Sequence, residues 1–306
     1  AVIDIAATLK PLLQAGLTIA YETFDLTTLK NVRRANISAN HFNKIRSIVK
    51  SKGLKTHTDV ILGLPGETLA SYLNGLRTVF DQGFDQVVTF NCRLLGGTEM
   101  NTPAYIKKHG IKTKFRLLGT NYGAHNGNFL AEHEEVVVSS NSFTYEDFLE
   151  IRYMNFMFYA VFNLNFHKWL FQFTRYLGIN TTEFFSHFFK PDRNGNWPEG
   201  YIRFLDDLKN AIEEELHDSR EEVVASAKKI FVENGNDVGE SSRININFGG
   251  RLNYLEADWV KPVLMRHLDE ITNMNLSSED RNLASLLIDL SKRERVNLKK
   301  IDEKTK

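Results

Sequence analysis

The sequence predicts an α/β fold: an incomplete parallel sheet or barrel followed by a mostly helical region. Two observations carry this. The first hundred residues alternate between the two hydrophobic periods in the order helix, strand, helix, strand, helix, strand, which is the signature of βαβ units. From residue 144 onward helical spacing dominates, and many of the chain's 22 Phe and 10 Tyr fall between 143 and 204. At 306 residues the chain is long enough for one large or two modest domains. The expected division gives 1–118 to the sheet and 119–306 to the helices.

Residues 2–13 read as a helix with no capping residue ahead of it, and the chain starts at Ala1; both suggest a piece of something longer. Residues 17–22 (LTIAYE) are β-prone, and 26–34 and 38–52 have helical spacing, the second ending at Gly53. Residues 56–62 (THTDVIL) form the next strand and run into Gly63-Leu64-Pro65-Gly66. A helix is expected over 68–82 with Gly83 as its stop, then a strand within 85–95 (DQVVTFNCRLL) that ends in Gly96-Gly97. Three parallel strands leave open edges, so this part reads as incomplete.

Residues 101–142 look loop-rich, with a β-prone piece at 134–139. Thr144 and Asp147 resemble a capping box that opens a helical region to about 190. A connector follows at 191–200 (PDRNGNWPEG), then one long charged helix over 201–233 and a loop over 234–242. A short strand is expected at 243–248 (RININF), where apolar and polar residues alternate. Two helices are expected near 254–273 and 278–295, and the charged tail 292–306 is expected to fray. The aromatic stretch 153–173 has the length of a membrane span. It carries Asn155, Asn163, Asn165, His167, Lys168 and Gln172, so a buried helix is expected rather than a transmembrane one.

Thirty-eight basic and 38 acidic residues give a net charge of +0, which argues against a nucleic-acid partner. One cysteine, Cys92, excludes an intramolecular disulfide and fits a reducing cytoplasm. It reads as a small buried hydrophobe. The acidic run over 213–222 reads as a solvated helix face.

Ligands of parallel α/β units bind at the carboxyl ends of the strands. The first such end carries Glu22 to Asp25, the second GLPGET (63–68), the third Asn91, Cys92 and the turn at Gly96-Gly97-Thr98. Gly63 and Gly66 allow close backbone approach, Pro65 stiffens the turn, and Thr68 can cap the next helix. A plain βα turn is the competing reading. Glu22 and Asp59 are carboxylates suited to hydroxyl donors, and Arg34 to a carboxylate; surface ion pairs are the alternative. His125 and His133 lie near Glu132, Glu134 and Glu135, a conceivable metal site but more simply polar loop residues. His167 and His187 read as hydrogen-bonded residues of the aromatic helices, and the aromatic stripe as packing or as the wall of an apolar substrate pocket.

Taken in order, AGLTIAYETFDLTTLKNVRRANIS (15–38), GLKTHTDVILGLPGETLASYLNGL (53–76) and GFDQVVTFNCRLLGGTEM (83–100) resemble the radical SAM superfamily, in particular its B12-binding-domain group. The likeness covers about the first third of the chain, and FTYEDF (143–148) with the aromatic helix resembles that group's C-terminal region. The resemblance implies strands four to six of a partial TIM-type barrel. It implies Glu22 and Asp59 at the ribose of S-adenosylmethionine and Arg34 at its methionine carboxylate. Gly63, Leu64 and Pro65 would border the adenosine, and Asn91 and Leu94 would flank the adenine. Glu22 stands where Gln is usual, and Gly96 where Pro is usual.

The resemblance also implies a 4Fe–4S cluster, held by a Cys-x3-Cys-x2-Cys motif that this chain lacks. The expectation is therefore a C-terminal part whose front barrel half, cluster loop and cobalamin-binding domain lie upstream. The complete protein would use S-adenosylmethionine, the cluster and cobalamin for radical chemistry or methyl transfer on a small molecule. A non-catalytic binding or scaffold module that keeps the half-barrel is the alternative. A sugar- or phosphate-binding enzyme built on GLPGET is a third.

Overall fold

The structure, a computed structural model, describes residues 2–9, 17–237, 244–255 and 257–294. It opens with α1 (Val2–Thr8), β1 (Leu17–Thr18), α2 (Leu26–Asn31), α3 (Ala39–Ser51), β2 (Thr56–Leu62), α4 (Leu69–Gln82) and β3 (Gln86–Asn91). The three strands form one parallel sheet in the order β1-β2-β3, with Leu17 opposite Thr56 and Leu62 opposite Asn91. The mixed α/β class and the small parallel sheet are as expected, but no closed barrel forms among the described residues.

The pleat of β2 sorts its side chains. Thr56, Thr58, Val60 and Leu62 are buried on one face, while His57, Asp59 and Ile61 sit half-buried on the other. Val60 and Leu62 share a core with Tyr72, Leu76 and Val79 of α4. The half-buried face therefore carries His57 and Asp59, the ionisable residues of β2.

The region expected to be loop-rich is a long antiparallel hairpin. After α5 (Pro103–His109), β4 (Lys112–His125) pairs with β5 (Asn128–Ser139). Its turn is Asn126-Gly127, both with positive φ (50° and 79°), the geometry that makes Asn-Gly a strong hairpin signal. The hairpin bonds the segment that follows β3, since the Leu94 N–H donates to the Glu135 carbonyl and the Val137 N–H to the Cys92 carbonyl. Residue 118 lies within β4, so the expected division falls inside the hairpin.

The remainder is helical: α6 (Tyr145–Phe158), a π-helical turn (Tyr159–Asn163), α7 (Lys168–Tyr176), α8 (Thr181–Phe189), α9 (Glu199–Glu214), α10 (Arg220–Glu233), α11 (Ile244–Gly250), a second π turn (Arg251–Leu255), α12 (Ala257–Ile271) and α13 (Ser278–Arg293). The Thr144–Asp147 capping box forms as read, with both reciprocal hydrogen bonds present. The expected helix over 201–233 is two helices, because Ser219 caps α10 by accepting from the Glu222 N–H.

The strand expected at 243–248 is corrected: Ile244–Gly250 is helical, and residue 243 lies outside the described residues. Ile244 and Phe248 are buried while Ile246 is exposed. RININF satisfies an i, i+4 spacing as well as alternation, and only the helix has a face to pack. The tail beyond 294 also lies outside the described residues.

One apolar core runs from Tyr21 through the sheet and the aromatic helices to Ile288. Phe148, Phe156, Phe158, Phe171, Phe184 and Phe188 are all buried in it, so these aromatics serve packing. Within 153–173 the buried Asn155 is paired, its amide oxygen accepting from the Tyr72 hydroxyl at 2.8 Å. No helix among the described residues is long and apolar enough to cross a membrane.

Candidate functional site

Four of the sequence-predicted site residues line one cleft of about 400 Å³: Glu22, Asp59, Leu64 and Asn91, together with Ile61, Phe90, Cys92 and Met100. Glu22 reaches it through a strained backbone. Its φ is +59°, a region that a non-glycine residue adopts at a cost of about 1 kcal/mol or more. Two sheet-like hydrogen bonds fix it there, from the Glu22 N–H to the Asp59 carbonyl (2.9 Å) and from the Ile61 N–H to the Glu22 carbonyl (2.8 Å). The Glu22 carboxylate then meets the Arg34 guanidinium at 2.6 Å; Arg34 is mostly exposed and does not itself line the cleft.

Asp59 projects from the open face of β2. Its Oδ1 is buried against His57, 2.7 Å from the ring Nε2. The Asp59 side chain keeps 28% of its surface exposed, so its other carboxylate oxygen is the acceptor open to a ligand hydroxyl. Gly63, Pro65 and Leu94 do not line the cleft. Gly63 (φ +91°) lies under the hairpin, where an added Cβ would come 3.3 Å from the Val137 carbonyl. The Pro65 carbonyl accepts from Asn31 at 2.9 Å, and Leu94 is buried beside β5. These residues shape the walls rather than touch the space.

The GLPGET loop holds a residue that the spacing did not single out. Glu67 is 4% exposed and accepts a 2.5 Å hydrogen bond from the Thr23 hydroxyl. Burial, reinforced by the nearby Asp25 carboxylate and opposed by the Thr23 bond, pushes its carboxyl up to about 8. It is therefore protonated at neutral pH. Thr68 behind it makes a capping box with Ser71 at the start of α4.

A second cavity of about 450 Å³ adjoins the cleft, sharing Phe90, Asn91 and Arg93 with it. Arg93, Arg116 and Arg152 line it with Glu134 and Glu215. Arg93 meets Glu134 at 3.0 Å, Arg116 bonds Glu134 and lies 3.4 Å from Glu215, and Arg152 meets Glu215 at 2.5 Å. Burial lowers the Arg152 pKa despite Glu215 beside it, and its Nε has no hydrogen-bond partner. Glu215 was part of a run read as solvated; the break between α9 and α10 turns it inward. Ser219 marks the break in the sequence, but which residues Glu215 meets there is set by distant segments.

The histidines read as loop residues sit on hairpin strands. Their acidic neighbours are engaged elsewhere: Glu132 with Asn121, Glu134 with Arg93 and Arg116, and Glu135 with Thr113. Cys92 lies against the cleft, but burial pushes its thiol up to about 12, which leaves it a poor ligand or nucleophile.

No family model matches the chain. Two curated relatives are similar to part of it, each 27% identical over 99 residues, or 32% of this chain. One is the cobalamin-dependent radical SAM methyltransferase TokK of Streptomyces tokunonensis. The other is the 2-(S-pantetheinyl)-carbapenam-3-carboxylate methyltransferase of Streptantibioticus cattleyicolor. The matching part spans 14% of the length of each. The likeness suggests a distant relation to radical SAM methyltransferases.

Proposed function

We propose that this chain forms one wall of an S-adenosylmethionine cleft, and a substrate-side cap, in a radical SAM-type protein acting on a small molecule. The observation that carries this is the convergence of Glu22 and Asp59 on one cleft of about 400 Å³, with Arg34 paired to Glu22. The volume lies in the range of small-ligand sites. Asp59, through its more exposed oxygen, and Glu22 accept the two ribose hydroxyls. Arg34 offers its guanidinium to the methionine carboxylate, and Ile61, Leu64 and Met100 give apolar walls to the purine.

The residues present do not fit an iron–sulfur cluster, which needs several thiolates, against one buried cysteine here. The cluster, and cobalamin with it, is assigned to parts of the protein outside this chain. Such a cluster would supply the electron for cleaving S-adenosylmethionine, and cobalamin would serve methyl transfer. The adjoining cavity suits the substrate. Its three guanidiniums face two carboxylates, so it favours a small molecule with an anionic group, rather than an apolar one.

Calorimetric titration with S-adenosylmethionine, S-adenosylhomocysteine and glucose 6-phosphate tests the reading. Both sulfur nucleotides bind, and Glu22→Ala and Asp59→Ala each weaken them about tenfold or more, as loss of a hydrogen bond to a charged group does. Tighter binding of the sugar phosphate, or indifference to Asp59→Ala, refutes it.

A further inference from the structure

A second constellation lies among the aromatic helices, away from both cavities. His187 in the last turn of α8 and His267 and Glu270, one turn apart on α12, bring their ligand atoms within 4.8 Å of one another. His267 is fully buried. Its Nε2 lies 2.9 Å from the Tyr201 hydroxyl, and that hydroxyl also bonds the Phe188 carbonyl.

These contacts fix the ring's tautomer. A carbonyl only accepts, so the single Tyr201 proton goes to Phe188. Tyr201 oxygen must then accept from His267, which puts the ring proton on Nε2. His267 Nδ1 is left as a bare lone pair, buried and without a hydrogen-bond partner. It faces Glu270 Oε2 at 3.6 Å. The other Glu270 oxygen already accepts from Arg266 at 2.9 Å. The ring is enclosed by Phe184, Phe188, Trp197 and Tyr201, an apolar surround in which a bare lone pair finds no water. Two acceptors thus point at each other in a buried setting, an arrangement that a cation between them resolves.

We infer that His187, His267 and Glu270 bind a divalent transition cation of the zinc type and so tie α8 to α12. Imidazole and carboxylate ligands at about 2.0–2.2 Å can stand 3.6 Å apart across such an ion. His187 is exposed, so a small side-chain rotation closes the third position, and solvent reaches a fourth. Tyr201 is the expected outer partner, since a metal-binding histidine donates its remaining N–H to an acceptor. Neutral imidazoles with a carboxylate favour zinc over magnesium or calcium, which prefer all-oxygen sets.

The test is zinc titration of the intact protein, reading bound zinc by elemental analysis after dialysis and the thermal midpoint with and without zinc. The wild type retains one equivalent at micromolar free zinc and its midpoint rises. His187→Ala, an exposed position that leaves the fold intact by circular dichroism, loses both effects. Glu270→Gln also loses the bound zinc, and Tyr201→Phe weakens zinc binding about tenfold or more. No zinc retained by the wild type overturns the inference. So does equal zinc in His187→Ala, which would place the ion on other histidines.

Discussion

Replacing Glu67 by Gln removes a charge that the folded chain resists forming. In the structure Glu67 sits 4% exposed behind the cleft, and its carboxyl is raised from an ordinary 4.5 to about 8. Each tenfold change in proton affinity is worth about 1.4 kcal/mol, so the difference corresponds to at most about 5 kcal/mol. The sign follows from proton counting. Between pH 4.5 and 8 the unfolded chain has released this proton and the folded chain has kept it. Stability is therefore fully present below about pH 4.5 and falls as pH rises toward about 8. Gln keeps the shape and the oxygen that accepts from Thr23, but it cannot ionise. Urea unfolding from pH 5 to 9 should show the wild type losing stability relative to Glu67→Gln, with a gap of several kcal/mol by pH 8. Parallel pH profiles for the two proteins would refute the burial argument.

Three other expectations follow from single residues. Arg152→Met leaves Glu215 with the longer Arg116 contact alone; a half-stripped buried ion pair should cost about 3 kcal/mol in urea unfolding. Gly66→Ala places a Cβ 2.5 Å from Asn31 Nδ2 at a φ of +99°. The strain and the displaced Asn31–Pro65 bond should cost about 2 kcal/mol and weaken S-adenosylmethionine binding in the calorimeter. Thr144→Ala removes one half of a capping box and should lower stability by about 1 kcal/mol, read as a drop in thermal midpoint.

The parts legible in the sequence were those whose determinants are local. The β2–GLPGET–α4 unit could be read because a strand period, positive-φ glycines and the Thr68 cap all lie within about twenty-five residues. Thr144 and Asp147 announced α6 for the same reason. Two local signals were present and passed over. Asn126-Gly127 marks the hairpin turn, and Ser219 with Glu222 marks the start of α10. RININF is ambiguous, since so short a run can satisfy both periods.

By itself the sequence determined the α/β order, the caps and which carboxylates stand at strand ends. Only tertiary structure decided what those groups do to each other. The left-handed turn at Glu22 brings its carboxylate to Arg34. Burial, not residue type, keeps Glu67 protonated. Glu215 reaches Arg116 and Arg152 across 99 and 63 residues of chain, and His187 meets His267 across the interface of α8 and α12. The physical reason is range. Backbone preference and capping act over a few residues, whereas desolvation and charge pairing depend on which distant segments the packed core brings together.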